Sequence, residues 1–139
     1  MARVRDFGPA AIKNYSSPRL QGDWRSRLFF ENRAWQFVIF LPRWLAKHDE
    51  QEEICTAHDE RLLEGLLQRD FGGCTSSLSS FRGIGYRGSQ VETNIHAQVI
   101  VLASRWRGTT RYFRALREEL EACSGEETIL ILRQELVIV

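Results

Sequence analysis

Between residues 34 and 139 the apolar pattern changes period in a fixed order: a strand, a helix, two strands, a second helix and a final strand. A two-residue and a 3.6-residue period cannot be exchanged without turning core side chains to solvent, so this order is the strongest constraint on the fold. It predicts an α+β domain in which two helices cover one face of an antiparallel four-stranded sheet. Trp35 to Leu41 is nearly continuously apolar and rich in β-branched and aromatic residues, as a central strand requires. Pro42 is expected to end it, since proline cannot donate to a ladder. Residues 43–56 then read as a charged connection.

The first helix is expected over 57–70. Thr56 and Asp59 make a T-x-x-D capping box, Leu62, Leu63, Leu66 and Leu67 form one stripe, and Gly72-Gly73 supplies the stop. Residues 74–82 form a polar, Ser-rich strand candidate with Leu78 and Phe81 as its large apolar residues, and Gly83, Gly85 and Gly88 surround a turn. Val91 to Ala103 carries the clearest alternation. Val91, Ile95, Ala97, Val99 and Val101 face one way; Glu92, Asn94, His96 and Gln98 face the other, which stays polar until Ile100 and Leu102. The second helix is expected over 109–123, capped by Thr109 or Thr110, with Phe113, Leu116, Leu120 and Cys123 as its buried stripe. Thr128 to Val139 is β throughout, as one strand or as a hairpin turning at Arg133-Gln134-Glu135.

Residues 1–33 behave differently. They show no regular period and hold seven cationic side chains (Arg3, Arg5, Lys13, Arg19, Arg25, Arg27 and Arg33) against Asp6, Asp23 and Glu31. This segment reads as a basic arm, partly irregular, preceding a domain over 34–139; Phe7, Ile12, Tyr15, Leu20 and Trp24 can anchor it, and 28–30 can add a short strand. The chain as a whole has a net charge of +1, which exerts no global pull on nucleic acid or membrane. Three widely spaced cysteines without a C-x-x-C pair point to reduced thiols and a cytoplasmic setting. The longest apolar runs, near 35–41 and 129–132, are too short to cross a bilayer, and no signal peptide is expected.

Candidate sites follow from the same patterning. His96, with Asn94 and Gln98 at i±2 and Glu92 beyond, forms a polar row in which His96 is the candidate general base and Glu92 its carboxylate partner. Asn94, Gln98, Arg82 and Arg87 are candidate ligand contacts. Arg107, Arg111 and Arg114 share a helical face suited to phosphates, although Arg114 can pair with Glu118 and Arg117 with Glu121 at i+4. The triplets at 48–50 and 58–60 (His-Asp-Glu) cannot chelate an ion singly, because neighbouring helical side chains diverge by about 100°. No metal and no cofactor is expected.

The run Gly83-Ile84-Gly85-Tyr86-Arg87-Gly88 matches G-x-G-x-x-G, but a strand rather than a helix follows it. With Gly73-Cys74-Thr75 ahead of it, it resembles a stretch of about fifteen residues in the PII-type signalling proteins. It lacks that family's long loop and its Gly-Asp-Gly-Lys segment, so the resemblance implies shared topology and transfers no nucleotide site. The element order itself resembles the ferredoxin-like βαββαβ sandwich. The Gly-Gly-x-Thr turn and the final Glu-Glu-x-Ile-Leu-Ile strand look like small uncharacterised domains of that superfamily. The expected function is a ligand-binding or regulatory module that self-associates through its sheet into a dimer or higher oligomer. Two alternatives stand beside it: a small enzyme resembling the dimeric α+β barrels with His96 as base, and a nucleic-acid binder using the Arg107, Arg111 and Arg114 face.

Overall fold

The computed structural model describes residues 3–13, 32–47, 50–77, 80–126 and 128–139. Its organising element is β1 (Arg33–Lys47), which does not stop at Pro42. The register with β5 (Gln90–Ala103) shifts between Pro42 and Trp44, leaving Arg43 as the extra residue of a bulge. Proline is tolerated there because a bulge interrupts the ladder. The Pro42 carbonyl accepts the Cys55 N–H at 3.0 Å, and Arg43 turns toward the helices, donating to the Cys55 carbonyl at 2.8 Å and to Glu60 at 2.6 Å. Beyond the bulge the chain turns back as β2 (Glu50–Glu53), so most of the expected connection is a hairpin.

The sheet is antiparallel and curls into a half-barrel. One edge of β1 pairs with β6 (Ile131–Val137) over its first half and with β2 over its last residues. The free edge of β5 pairs with β3 (Thr75–Ser76) and then β4 (Phe81–Arg87). The sheet therefore has six strands, which corrects the expectation of a four-stranded ferredoxin-like βαββαβ sheet. The continuous strand expected over 74–82 is two pieces, and the α+β class with two helices is what stands. The final segment is one strand, with no turn at Arg133-Gln134-Glu135.

Helix α1 (Ala57–Phe71) has the expected capping box: Thr56 Oγ1 accepts the Asp59 N–H at 3.1 Å, and Asp59 accepts the Thr56 N–H at 2.8 Å. Gly72, at φ 83°, closes it in the left-handed conformation. Helix α2 (Arg107–Ser124) starts two residues earlier than expected, with Trp106 at the cap and no side-chain capping bond. Thr109 lies inside the helix and donates to the Ser104 carbonyl at 3.3 Å. Both helices bury their stripes against the odd-numbered face of β1 and β5: Phe37 stacks on Phe113 with centroids 3.9 Å apart, and Phe71 meets Tyr112 edge-on at 4.8 Å. The Tyr112 hydroxyl donates to buried Asp70 at 2.6 Å, and Arg69 clamps the same carboxylate at 2.7 and 2.8 Å.

The described part of the arm is packed down. Phe7 and Ile12 are buried, with a 3₁₀ turn, Pro9–Ala11, between them. The N–H groups of Val4 and Arg5 donate to the Cys123 carbonyl at 2.9 and 3.2 Å, satisfying an end-of-helix acceptor. Arg5 reaches Glu119 at 2.7 Å, and Arg3 pairs with Asp59 and Asp6. Tyr15, Leu20, Trp24 and the strand expected at 28–30 lie outside the described residues.

Candidate functional site

The face of the sheet turned away from the helices can be read row by row from the register, since residues directly opposite in an antiparallel pair share a face. At one end Thr75, Ile100, Val38 and Leu132 form a row that is apolar apart from the Thr75 hydroxyl. Next come Gln98 and Phe40, then Phe81, His96 and Pro42. The last rows are Gly83, Asn94 and Leu45, and then Gly85 and Glu92. Leu45 belongs to this face only because of the Arg43 bulge; a one-residue slip sends every later side chain to the other side.

His96 is half-buried among aromatic rings. Phe81 stacks on it with centroids 5.8 Å apart and planes inclined at 21°, and Phe40 lies against it at 5.3 Å and 52°. Its Nδ1 stands 3.2 Å from Asn94 Oδ1. A carbonyl oxygen only accepts, so Nδ1 carries the proton and the neutral ring keeps its lone pair on Nε2. Desolvation lowers the imidazole pKa below its ordinary value, which keeps the ring neutral at physiological pH. Gly83 makes this geometry feasible: a Cβ there would come within 2.6 Å of Asn94 Oδ1. At Gly85 a Cβ would meet nothing within 4 Å, so the missing side chain leaves open space over the strand.

That space belongs to a cavity of about 350 Å³. Phe40, Pro42, Trp44 and Leu45 supply apolar walls, His96, Asn94 and Glu92 the polar groups from β5, and Glu126, Thr128, Ile129 and Leu130 a further wall. Of the residues expected to form a site, His96, Glu92 and Asn94 therefore line one cavity. Gln98 sits a row away, its backbone engaged with Ser77. Arg82 pairs with Ile95, which puts it on the opposite face, and the Arg87 side chain lies outside the described residues. Arg107, Arg111 and Arg114 are exposed along α2; Arg114 lines a groove that Arg107 and Arg111 do not, and the Arg114–Glu118 pair does not form among the described residues. Arg117 and Glu121 do pair, at 3.4 Å.

The walls were the part that sequence reasoning missed. A glycine at every second position of a strand, Gly83 and Gly85 opposite Asn94 and Glu92, was the available signal: it empties one face of a strand rather than forming a phosphate turn. Among the described residues no group of three or more His, Cys, Asp and Glu side chains converges to hold a metal ion; His48 and Asp49 lie outside the described residues. No helix among them is long and apolar enough to cross a membrane. The three cysteines are unpaired. Burial raises all three thiol pKa values, Cys123 to about 11, which disfavours the thiolate. Comparison with protein-family models, curated proteins and solved structures finds no match. What stands is an α+β arrangement of one curled antiparallel sheet and two helices, only loosely compatible with a ferredoxin-like fold.

Proposed function

We propose that the chain is a cytoplasmic small-molecule-binding module whose ligand occupies the cavity beside His96. The observation that carries this reading is the combination of a ~350 Å³ space, apolar walls and an oriented, neutral imidazole at its floor. Binding sites are concave and mostly apolar, with a few placed polar groups that fix orientation. The preferred ligand is a compact aromatic or apolar molecule that donates one hydrogen bond to His96 Nε2. Unpaired cysteines support the cytoplasmic setting.

Titration with phenol and with indole tests this, read by the His96 ring nitrogens in NMR and by Trp44 fluorescence. Saturable changes that disappear in both His96→Ala and Leu45→Trp support the reading. Probes that perturb neither signal in the wild type, or that bind either variant as tightly as the wild type, refute it. Acidification provides an internal check, because a protonated ring no longer accepts: affinity should fall as pH drops through a pKa below the usual imidazole value of about 6.5.

Self-association through the remaining sheet face belongs to the same proposal. Leu102, Leu130 and Leu132 are exposed beside Ile100 and Val38, an apolar surface that a second copy would cover. A solution mass of one chain at micromolar concentration would remove this part and leave the cavity reading intact. A second reading, catalysis with His96 as general base, is favoured by Glu92 sharing its cavity. Its mark would be a pH–rate profile whose acid limb disappears in His96→Ala.

A further inference from the structure

On the helix side of the sheet, a separate groove of about 330 Å³ runs between α2 and β6. Three guanidinium groups, Arg114, Arg117 and Arg133, line it beside Thr110, and Phe37, Phe113 and Ile131 form its floor. Arg133 is held without being neutralised: it donates to Thr110 Oγ1 at 3.2 Å, and its guanidinium lies 4.3 Å from the centroid of the Trp35 ring. Both contacts fix its position and neither carries a full negative charge. Glu135, the acid two residues along the same strand face, is engaged by Arg105 at 3.1 Å and Arg33 at 3.4 Å. Arg114 has no ion-pair or hydrogen-bond partner among the described residues, and only Arg117 has a carboxylate, Glu121 at 3.4 Å. Two uncompensated cations and a shared third thus border one groove over an apolar floor.

We infer that this groove binds the phosphate of a small phosphate monoester, with Arg114 and Arg133 on the phosphate oxygens and the organic body toward Ile131 and Phe113. Guanidinium groups match phosphate by paired, charge-assisted hydrogen bonds, and a dianion answers the local excess of positive charge better than a carboxylate does. The groove departs from the arginine row expected from sequence. Arg107 and Arg111 do not line it, and Arg133 comes from a different element. A compact, sided site of this kind suits a small ligand rather than an extended polyanion.

Calorimetric titration of the whole chain at low ionic strength, with phenyl phosphate, inorganic phosphate and benzoate, tests the assignment. One saturable site is expected, with phenyl phosphate bound more tightly than inorganic phosphate and benzoate weakest. Arg114→Gln and Arg133→Gln should each weaken phenyl phosphate by about tenfold or more, and Arg133→Lys should fail to restore it. The double variant Arg107→Gln/Arg111→Gln should change affinity less than twofold, roughly the reach of a screened surface charge. These side chains are exposed or at the groove rim, and circular dichroism of each variant confirms that it folds. Absence of saturable phenyl phosphate binding up to about 10 mM overturns the proposal. So does an equal loss in the Arg107/Arg111 variant, which marks a diffuse field, or benzoate binding as tightly as phenyl phosphate, which marks a carboxylate site.

Discussion

The two ends of β5 share one alternation and differ in what lies over it. At one end Ala97, Val99, Val101 and Ala103 are buried beneath the helices. At the other, Val91 has the same parity and is 57% exposed, and its neighbours on β4, Ile84 and Tyr86, are 61% and 80% exposed. Length explains the contrast. The 14 residues of β5 extend about 46 Å, whereas the 18 residues of α2 reach only about 27 Å and the 15 of α1 less. A helix layer of that size cannot cover the whole ribbon, so the β4–β5 hairpin projects beyond it. Alternation defines a face; the covering layer decides whether that face is core.

The comparison breaks most readily at the covered end. Leu116 is fully buried between α2 and the sheet, and Leu116→Ala should cost about 2–5 kcal/mol in urea unfolding, through lost transfer energy and the cavity left behind. An effect below about 1 kcal/mol would mean that the helix layer does not supply the core described here.

Asp59 probes how the arm is fastened to the same covered end. Its carboxylate accepts the Phe7 N–H at 2.9 Å and the Thr56 N–H at 2.8 Å and pairs with Arg3. Asp59→Ala leaves both donors without that acceptor and should cost about 2 kcal/mol. Burial by itself would raise the carboxyl pKa, but the bonds from Arg3, Phe7 and Thr56 prevail and hold it below the ordinary value. The folded state then binds fewer protons than the unfolded one as pH falls. The contribution is therefore complete above about pH 4, the unfolded value, and is lost as acid titrates the group through its lower folded value. Acid unfolding of the wild type and the variant should converge below that range; parallel curves would remove Asp59 from the linkage.

On the uncovered face, Gly83→Ala tests whether the imidazole is held by Asn94. The new methyl would approach Asn94 Oδ1 to 2.6 Å, so the amide must move and the Nδ1 hydrogen bond with it. A cost of about 1 kcal/mol is expected, with a changed nitrogen shift at His96. Unchanged His96 nitrogens would show that the ring is oriented by Phe40 and Phe81 alone.

Much of this architecture was legible. Thr56, Asp59 and Gly72 announce α1 because their bonds are local, and the period-2 run over 91–103 is a backbone property of a strand. What sequence hid was set by distant partners. Pro42 signals a strand end by its missing N–H, yet a bulge makes that loss harmless, and no local cue shows that Glu50–Glu53 pairs back on β1. The surroundings of His96 had the same origin: Leu45 joins its sheet face only through the bulge, and Phe81 stacks on it only through β4–β5 register. His96 and Asn94 were found because they are neighbours on one strand; Arg133 was missed because its relation to Arg114 exists only after β6 docks beside α2.

The smallest expected effect lies at the projecting hairpin and sharpens the opening contrast. Val91→Ser should change stability by no more than about 0.5 kcal/mol, since the side chain is already mostly in water and loses little transfer energy. The same substitution at Val99, identical in chemistry and in strand face but 0% exposed, buries a hydroxyl and removes methyl contacts, so a cost several times larger is expected. Urea unfolding of the two variants side by side reads the difference directly. Equal costs would mean that the hairpin is covered in solution, and the first surface to examine for its cover would be that of Ile84, Tyr86 and Val91, whose exposed apolar groups a second chain would bury.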